Sequence, residues 1–223
     1  MSVSEVVEVW SPAATLHAWD PPSEPVLNVR RCRSADTAVV LGSRQGPELL
    51  DPEALALAGV DLVRRSSGGG LVMVDDELAV WVDVWLPSRT GSVTDDVRAS
   101  MNLIGQAWVG ALTAVEPDLA ARLEVHAGGV TRGAWEELVC FAGLGPGEVL
   151  LDGRKLVGLS QRRSRDWSRI QCQIHTTATT AFPSELLAAS ARPAEAGPPT
   201  IAWLPRSIVE SAVAGLPAAL RTA

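Results

Sequence analysis

Three consecutive glycines, Gly68-Gly69-Gly70, follow the basic pair Arg64-Arg65 and two serines between two apolar runs. Glycine runs are poor helix and strand material, so the chain turns here. Without side chains the backbone N–H groups stay bare, and an anionic or planar ligand can approach closely. Further along, Asp152-Gly153 marks a second tight turn, a dipeptide suited to a type I′ hairpin. It leads into Arg154-Lys155-Leu156-Val157-Gly158-Leu159-Ser160-Gln161-Arg162-Arg163, which carries the only lysine in the chain. A lysine is a compact point charge suited to a phosphate or to a carbonyl under attack. Together the two elements point to a site for an activated acyl group.

The flanking segments read as α/β. Residues 1–25 hold Pro12, Pro21, Pro22 and Pro25 with little periodicity and read as an irregular lead-in. Residues 26–29, 37–41 and 60–64 read as strands. Asp51-Pro52 opens a short helix that Gly59 closes. Residues 71–74 and 78–86 read as two more strands. The second has Asp83 as its only charge after residue 78, which places it inside a sheet. Its Trp81 and Trp85 share one strand face, either as core or as the wall of a tunnel. After the cap Thr94-Asp95-Asp96, the stripe Val97, Met101, Ile104, Trp108, Leu112 and Val115 predicts a long amphipathic helix. Residues 149–159 form a hairpin and 170–174 a strand. A helix is expected from Phe182-Pro183-Ser184 to about residue 191. The terminal helix spans 206–216, with Gly215 and Pro217 ending or kinking it. The expected architecture is α/β (α+β): a mixed, largely antiparallel sheet flanked by helices over residues 26–192. Residues 193–223 add a linker and a helix packed on the same domain.

A net charge of -7 argues against nucleic acid as a main partner. The basic residues nevertheless cluster, at Arg30-Arg31-Cys32-Arg33, at Arg64-Arg65 and over residues 162–169, as a local anion site requires. Cys32, Cys140 and Cys172 are odd in number and far apart, so neither a disulfide framework nor a metal site is indicated. A reducing compartment is the natural reading. His17, His126 and His175 are scattered without a zinc pattern, and no transition metal is expected. There is no signal-peptide pattern and no apolar run of membrane-span length, so a cytoplasmic protein is expected.

The two turn segments resemble the hallmarks of the lipoate–protein ligase A branch of the biotin/lipoate protein ligase and octanoyltransferase superfamily. Its first motif is R-R-x-S-G-G-G-A-V-x-H-D. Arg64, Arg65, Ser67, Gly68, Gly69, Gly70, Val72 and Asp75 match it, while Leu71 replaces alanine and Val74 replaces histidine. Its second is G-x-K-I-x-G-x-A-Q-x-R. Gly153, Lys155, Gly158, Gln161 and Arg163 match, with Leu156 for isoleucine and Ser160 for alanine. The strip Gln171-Cys172-Gln173-Ile174-His175-Thr176-Thr177 departs from the family's histidine-glycine-threonine or -serine.

The resemblance implies a biotin/lipoate ligase-like catalytic domain that uses ATP and Mg²⁺ to activate lipoate or octanoate as an acyl-adenylate. A lysine of a lipoyl domain then attacks. By resemblance Lys155 is the cation on the adenylate and acyl carbonyl. Arg64, Arg65, Ser67, Gly68, Gly69, Gly70, Val72, Gly158, Ser160 and Gln161 would bind acyl chain and adenylate, and Asp75 with Asp76 would help hold the metal ion. The implied acceptors are apo lipoyl domains of 2-oxoacid dehydrogenases or the glycine cleavage H protein, met by a monomer. Arg162, Arg163, Arg165 and Arg169 could greet such an acidic partner. Cys140 keeps a second route open. Some octanoyltransferases of the superfamily place a nucleophilic cysteine at a similar distance before the lysine, followed by phenylalanine as in Cys140-Phe141. They take octanoyl from acyl carrier protein without ATP. A catalytically silent acyl-binding homologue is the third reading.

Overall fold

The computed structural model of the protein describes residues 5–88, 96–194 and 197–223. In chain order the elements are β1 (Val7–Ser11), α1 (Ala13–His17), β2 (Asn28–Ser34), β3 (Ala38–Leu41), α2 (Pro52–Ala58), β4 (Asp61–Arg64), β5 (Val72–Val74) and β6 (Ala79–Pro87). There follow α3 (Val97–Val115), β7 (Leu123–Val125), α4 (Ala134–Leu138), β8 (Val149–Leu151), β9 (Arg154–Arg163), β10 (Trp167–His175) and α5 (Arg206–Thr222). Seven strands make the main sheet, in the order β1-β2-β6-β10-β9-β8-β7; β4-β3-β5 make a small one. Within the main sheet β1–β2 is parallel and the other pairs are antiparallel. The mixed, largely antiparallel sheet read from the hairpin signals is therefore the architecture observed.

Strand β6 shows how the sheet divides the molecule. Its period of two sends Val80, Val82, Val84 and Leu86 into a core shared with α3 and α5. Trp81, Asp83 and Trp85 take the opposite face, where Trp81 joins a second core with β3, β4, β5 and α4. The side chain of Asp96 caps α3 by accepting from the Ala99 N–H at 2.8 Å. Met101, Ile104, Trp108 and Leu112 are buried as the stripe requires, whereas Val97 and Val115 at the ends are exposed. The other two residues expected in that cap, Thr94 and Asp95, lie outside the described residues. Asp152 (φ 51°) and Gly153 (φ 74°) adopt the two left-handed conformations of a type I′ turn, aligning β8 with β9.

Three expectations are corrected. Residues 1–25 are not merely a lead-in, because β1 extends the main sheet and α1 packs in the second core. As an edge strand β1 buries few side chains, which removes the alternation a reader looks for. No α-helix forms over 182–191. Its backbone is occupied instead by residues 49–51, through Asp51 N–H to Leu186 C=O and Ala188 N–H to Leu49 C=O, leaving two 3₁₀ turns. Helix α5 runs through Pro217 to Thr222. Proline forfeits one helical hydrogen bond, but Pro217 is buried and its neighbours Leu216 and Leu220 pack in the core.

Candidate active site

On the face of the main sheet opposite α3 and α5, a narrow slot runs beneath β5. Its floor crosses three neighbouring strands, with Gly158 and Ser160 on β9, Gln171 and Gln173 on β10, and Trp81 on β6. Val72, Val74 and Phe141 line it with apolar surface. A broader cleft adjoins it, lined by Gly68, Gly69, Gly70, Glu148, Lys155 and Gln161 among others. The slot holds about 30 Å³ of free volume and the cleft about 370 Å³. Cys140, Leu159 and Ser160 line both.

The glycine loop is built to let two backbones touch. Gly69 has φ 99°, which disfavours any side chain, and a Cβ there would lie 2.8 Å from the Arg65 guanidinium. A Cβ on Gly70 would lie 2.7 Å from backbone atoms of residues 138–140. That closeness lets Leu71 N–H donate to Leu138 C=O and Cys140 N–H donate to Leu71 C=O, both at 2.8 Å. Gly68 has open space instead. Ser160 Oγ donates to Ser67 Oγ at 2.5 Å, tying the loop to β9. One strip of backbone thus carries the cysteine past the glycines.

Lys155 is buried, and its Nζ has three acceptors: Cys140 C=O at 2.7 Å, Gly143 C=O at 3.0 Å and Glu148 Oε1 at 2.6 Å. Three acceptors match the three donors of an ammonium group. The Phe141 ring lies beneath it, 5.1 Å away. Gly158 belongs to this arrangement, since a Cβ there would stand 2.8 Å from the Phe141 ring. Glu148 is equally buried. Its second oxygen accepts from Gly145 N–H at 2.7 Å, and its first also accepts from Leu159 N–H at 3.0 Å. Sequence reading missed Glu148. The available signal was an acid heading the apolar run Val149-Leu150-Leu151, on the strand that pairs with that of the lone lysine.

Of the three thiols, Cys32 and Cys172 are buried and Cys140 is half-buried. Burial pushes Cys172 up to about 12 and Cys32 well above the ordinary thiol value. Arg65, itself buried, donates to Gly68 C=O at 3.0 Å and Gly70 C=O at 2.8 Å and lies beside the Cys140 side chain. Burial lowers the guanidinium's pKa, and the contact with Cys140 works against that shift. Among the described residues no carboxylate pairs with Arg65.

The remaining candidates divide. Arg65, Val72, Gly158 and Ser160 line the slot; Gly68, Gly69, Gly70, Ser160, Gln161 and Lys155 line the cleft. Gln161 donates to Ser100 Oγ and Ser168 Oγ, which leaves its buried Oε1 without a partner. Arg64 belongs to neither cavity. It is exposed and donates to Gly42 and Ser43 C=O at 3.5 Å and to Gln45 C=O, because alternation along β4 turns it away from Val63 and Arg65. Asp75 is likewise engaged elsewhere. It accepts from Thr37 Oγ1 and from Glu77 N–H and so closes its own turn. Asp76 pairs with Arg31 and Arg33. Among the described residues no group of three His, Cys, Asp or Glu could hold a metal ion, and both oxygens of Asp75 are already engaged. The cleft's cation among these residues is Lys155, which Glu148 balances. Arg169 is no surface residue: it is buried against Asp83 at 2.8 Å, and Arg162 and Arg165 stay exposed. Trp81 walls the slot, while Trp85 packs with Trp19 and Trp167 away from it.

A strand-borne lysine, a glycine loop and a narrow, largely apolar slot are gathered on one face of this sheet. The chain matches the lipoyl protein ligase A/B catalytic domain over residues 14–202 and belongs to that family. Octanoyltransferase LipM of Kyrpidia tusciae is 31% identical over 156 residues, covering 69% of this chain and 50% of that protein. The match thus spans about half the length of that relative. Lipoate-protein ligase A bound with ATP superposes with a TM-score of 0.68 at 16% identity, covering 99% of this chain and 86% of its own. The bi-partite lipoate protein ligase of Thermoplasma acidophilum gives 0.67 at 15%, covering 98% and 83%. These two likenesses establish the fold.

Proposed function

We propose that the protein moves a medium-chain acyl group, of octanoyl or lipoyl type, from a thioester donor to a protein lysine by way of Cys140. The observation that carries this reading is the place of Cys140. The one half-buried thiol lines both slot and cleft, beside an Arg65 that has no carboxylate partner among the described residues. The acyl chain would lie in the slot, and donor and acceptor would reach the thioester through the cleft. In the first step Cys140 Sγ loses its proton and attacks the acyl carbonyl. A C–S bond to Cys140 forms, the donor's C–S bond breaks, and the donor leaves as a thiol. In the second, the acceptor amine attacks the acyl-enzyme. A C–N bond forms, the C–S bond breaks, and the amine's proton passes to the sulfur. Arg65 lies beside the sulfur, and Lys155 fixes the carbonyl of Cys140 so that sulfur is held at the junction. The bare N–H groups of the glycine loop supply donors towards the developing oxyanion.

Ligation through an acyl-adenylate is the second reading. Two observations favour it: the glycine loop that lines the cleft, and the fold shared with an ATP-bound ligase. One experiment separates the two. Incubation with octanoyl-carrier protein, followed by intact-protein mass spectrometry, should show one octanoyl group on the wild type and none on Cys140→Ser. Transfer to a lipoyl domain should fall at least about a thousandfold in that variant. Transfer that depends on ATP and survives Cys140→Ser would overturn the thioester route in favour of the adenylate.

A further inference from the structure

The end of the slot away from Cys140 is not apolar. His17, the last residue of α1, reaches it and stacks on Trp81 with ring centroids 4.5 Å apart. Its Nδ1 lies 3.2 Å from Gln171 Nε2, and its Nε2 is buried with no hydrogen-bond partner. With Gln171 donating to Nδ1, the ring proton is on Nε2, so the orphan is a donor. The ring is also held in place. The Arg169 guanidinium, paired with Asp83, donates to the carbonyls of Leu16, His17 and Ala18, which satisfies the orphan end of α1. A buried donor without a partner is costly, so such an atom calls for an occupant.

The slot fixes where that occupant must sit. Its floor runs from Ser160 across to Gln171, two residues along β10 to Gln173 and across to Trp81, about 12 Å end to end. An acyl group with its carbonyl at Cys140 and its chain along this floor must widen the slot beyond its present 30 Å³ or so, and then brings its tail to His17. We infer that His17 is a specificity-determining residue. It selects medium-chain acyl groups that carry an oxygen or sulfur atom near the tail over plain alkanoyl chains. The inference rests on the slot being the acyl site of the proposed reaction. The imidazole suits the task, because burial and the nearby Arg169 and Arg65 lower its pKa to about 3 and keep it neutral. It therefore offers a hydrogen bond without demanding a counter-charge.

Calorimetric titration of the intact protein with octanoate, 8-hydroxyoctanoate and lipoate tests this without requiring turnover. The wild type should bind at least one of the heteroatom-bearing acids about tenfold more tightly than octanoate, the scale of one buried hydrogen bond. His17→Phe, which keeps the stack on Trp81 but removes the donor, should erase that ratio, and His17→Gln should restore part of it. Equal affinity for all three acids in the wild type, or a ratio unchanged in a folded His17→Phe variant, would overturn the inference. The same thioesters offered as acyl donors keep the two claims apart. Absence of any Cys140 adduct, with the binding preference intact, refutes the thioester route alone. Adducts without tail preference, and with equal acid affinities, refute the role of His17 alone.

Discussion

The two faces of the main sheet are built from the same strands and solve different problems. Towards α3 and α5, β6 presents Val80, Val82, Val84 and Leu86, and the partners Ile104, Trp108 and Leu112 are apolar and close-packed. Towards the slot the same strand presents Trp81 and Asp83, and the neighbouring strand β10 adds Arg169, Gln171, Gln173 and His175. On the first face stability is a matter of volume and area. On the second, buried charges and polar groups must each find a partner, and one that does not, His17 Nε2, sits in the slot. Function has been placed on the face where polar satisfaction, and not packing, is the limiting condition.

The strongest test of that contrast is the buried pair Lys155–Glu148. Lys155→Ala leaves Glu148 buried and unpaired, which should cost about 3–5 kcal/mol in chemical denaturation. Acyl transfer should fall at least about a hundredfold. Replacing both, as Lys155→Met with Glu148→Leu, should recover most of the stability and none of the activity. If activity returned with stability, the pair would be a structural device only.

Next in size is the glycine loop. Gly70→Ala must displace backbone at 138–140, and overpacking of this kind should cost about 1–3 kcal/mol while lowering transfer, because Cys140 moves. Gly68→Ala meets open space and should leave thermal stability within about 0.5 kcal/mol. Equal effects at the two positions would show that the loop acts on a ligand and not on the cysteine segment.

The slot face should also be acid-sensitive. His17 is lowered to about 3 and His175 to about 4, both chiefly by burial, so each stays neutral in the folded chain. Between the ordinary value of 6.5 and these folded values the unfolded chain binds more protons. Stability therefore falls as pH drops through that window, by up to about 1.4 kcal/mol per unit for each histidine. Urea midpoints measured from pH 7 to pH 4 should show a shallower slope for His17→Phe than for the wild type. Parallel slopes would mean that His17 takes up its proton in the folded protein. On the opposite face, Ile104→Val should cost about 1 kcal/mol and leave acyl binding unchanged.

Much of the helix-packed face was legible in the residues alone. The stripe Met101, Ile104, Trp108 and Leu112 and the apolar run of β6 repeat with helical and strand periods, and a periodic signal survives without tertiary information. The slot face was less so. Asp75 looked like a metal ligand because its chemistry permits it, yet Thr37 and Glu77 occupy its oxygens. Arg169 looked like part of an exposed basic run, yet Asp83 holds it inside. Edge strand β1 and the 3₁₀ turns after Phe182 were misjudged because their backbones pair with distant segments.

What the sequence determined by itself is local: the glycine turn, the Asp152-Gly153 hairpin, the long helix and the single lysine on its strand. Each follows from backbone torsions or from a short period, which neighbours in the chain set among themselves. Which charge meets which was decided only by the tertiary structure. Glu148 meets Lys155 across a register shift between β8 and β9, Arg65 meets Cys140 across the glycine loop, and His17 meets the slot because Arg169 anchors the end of α1. Polar side chains are selected by partner and not by period. Their meaning therefore appears only once the sheet has brought distant segments within hydrogen-bonding distance.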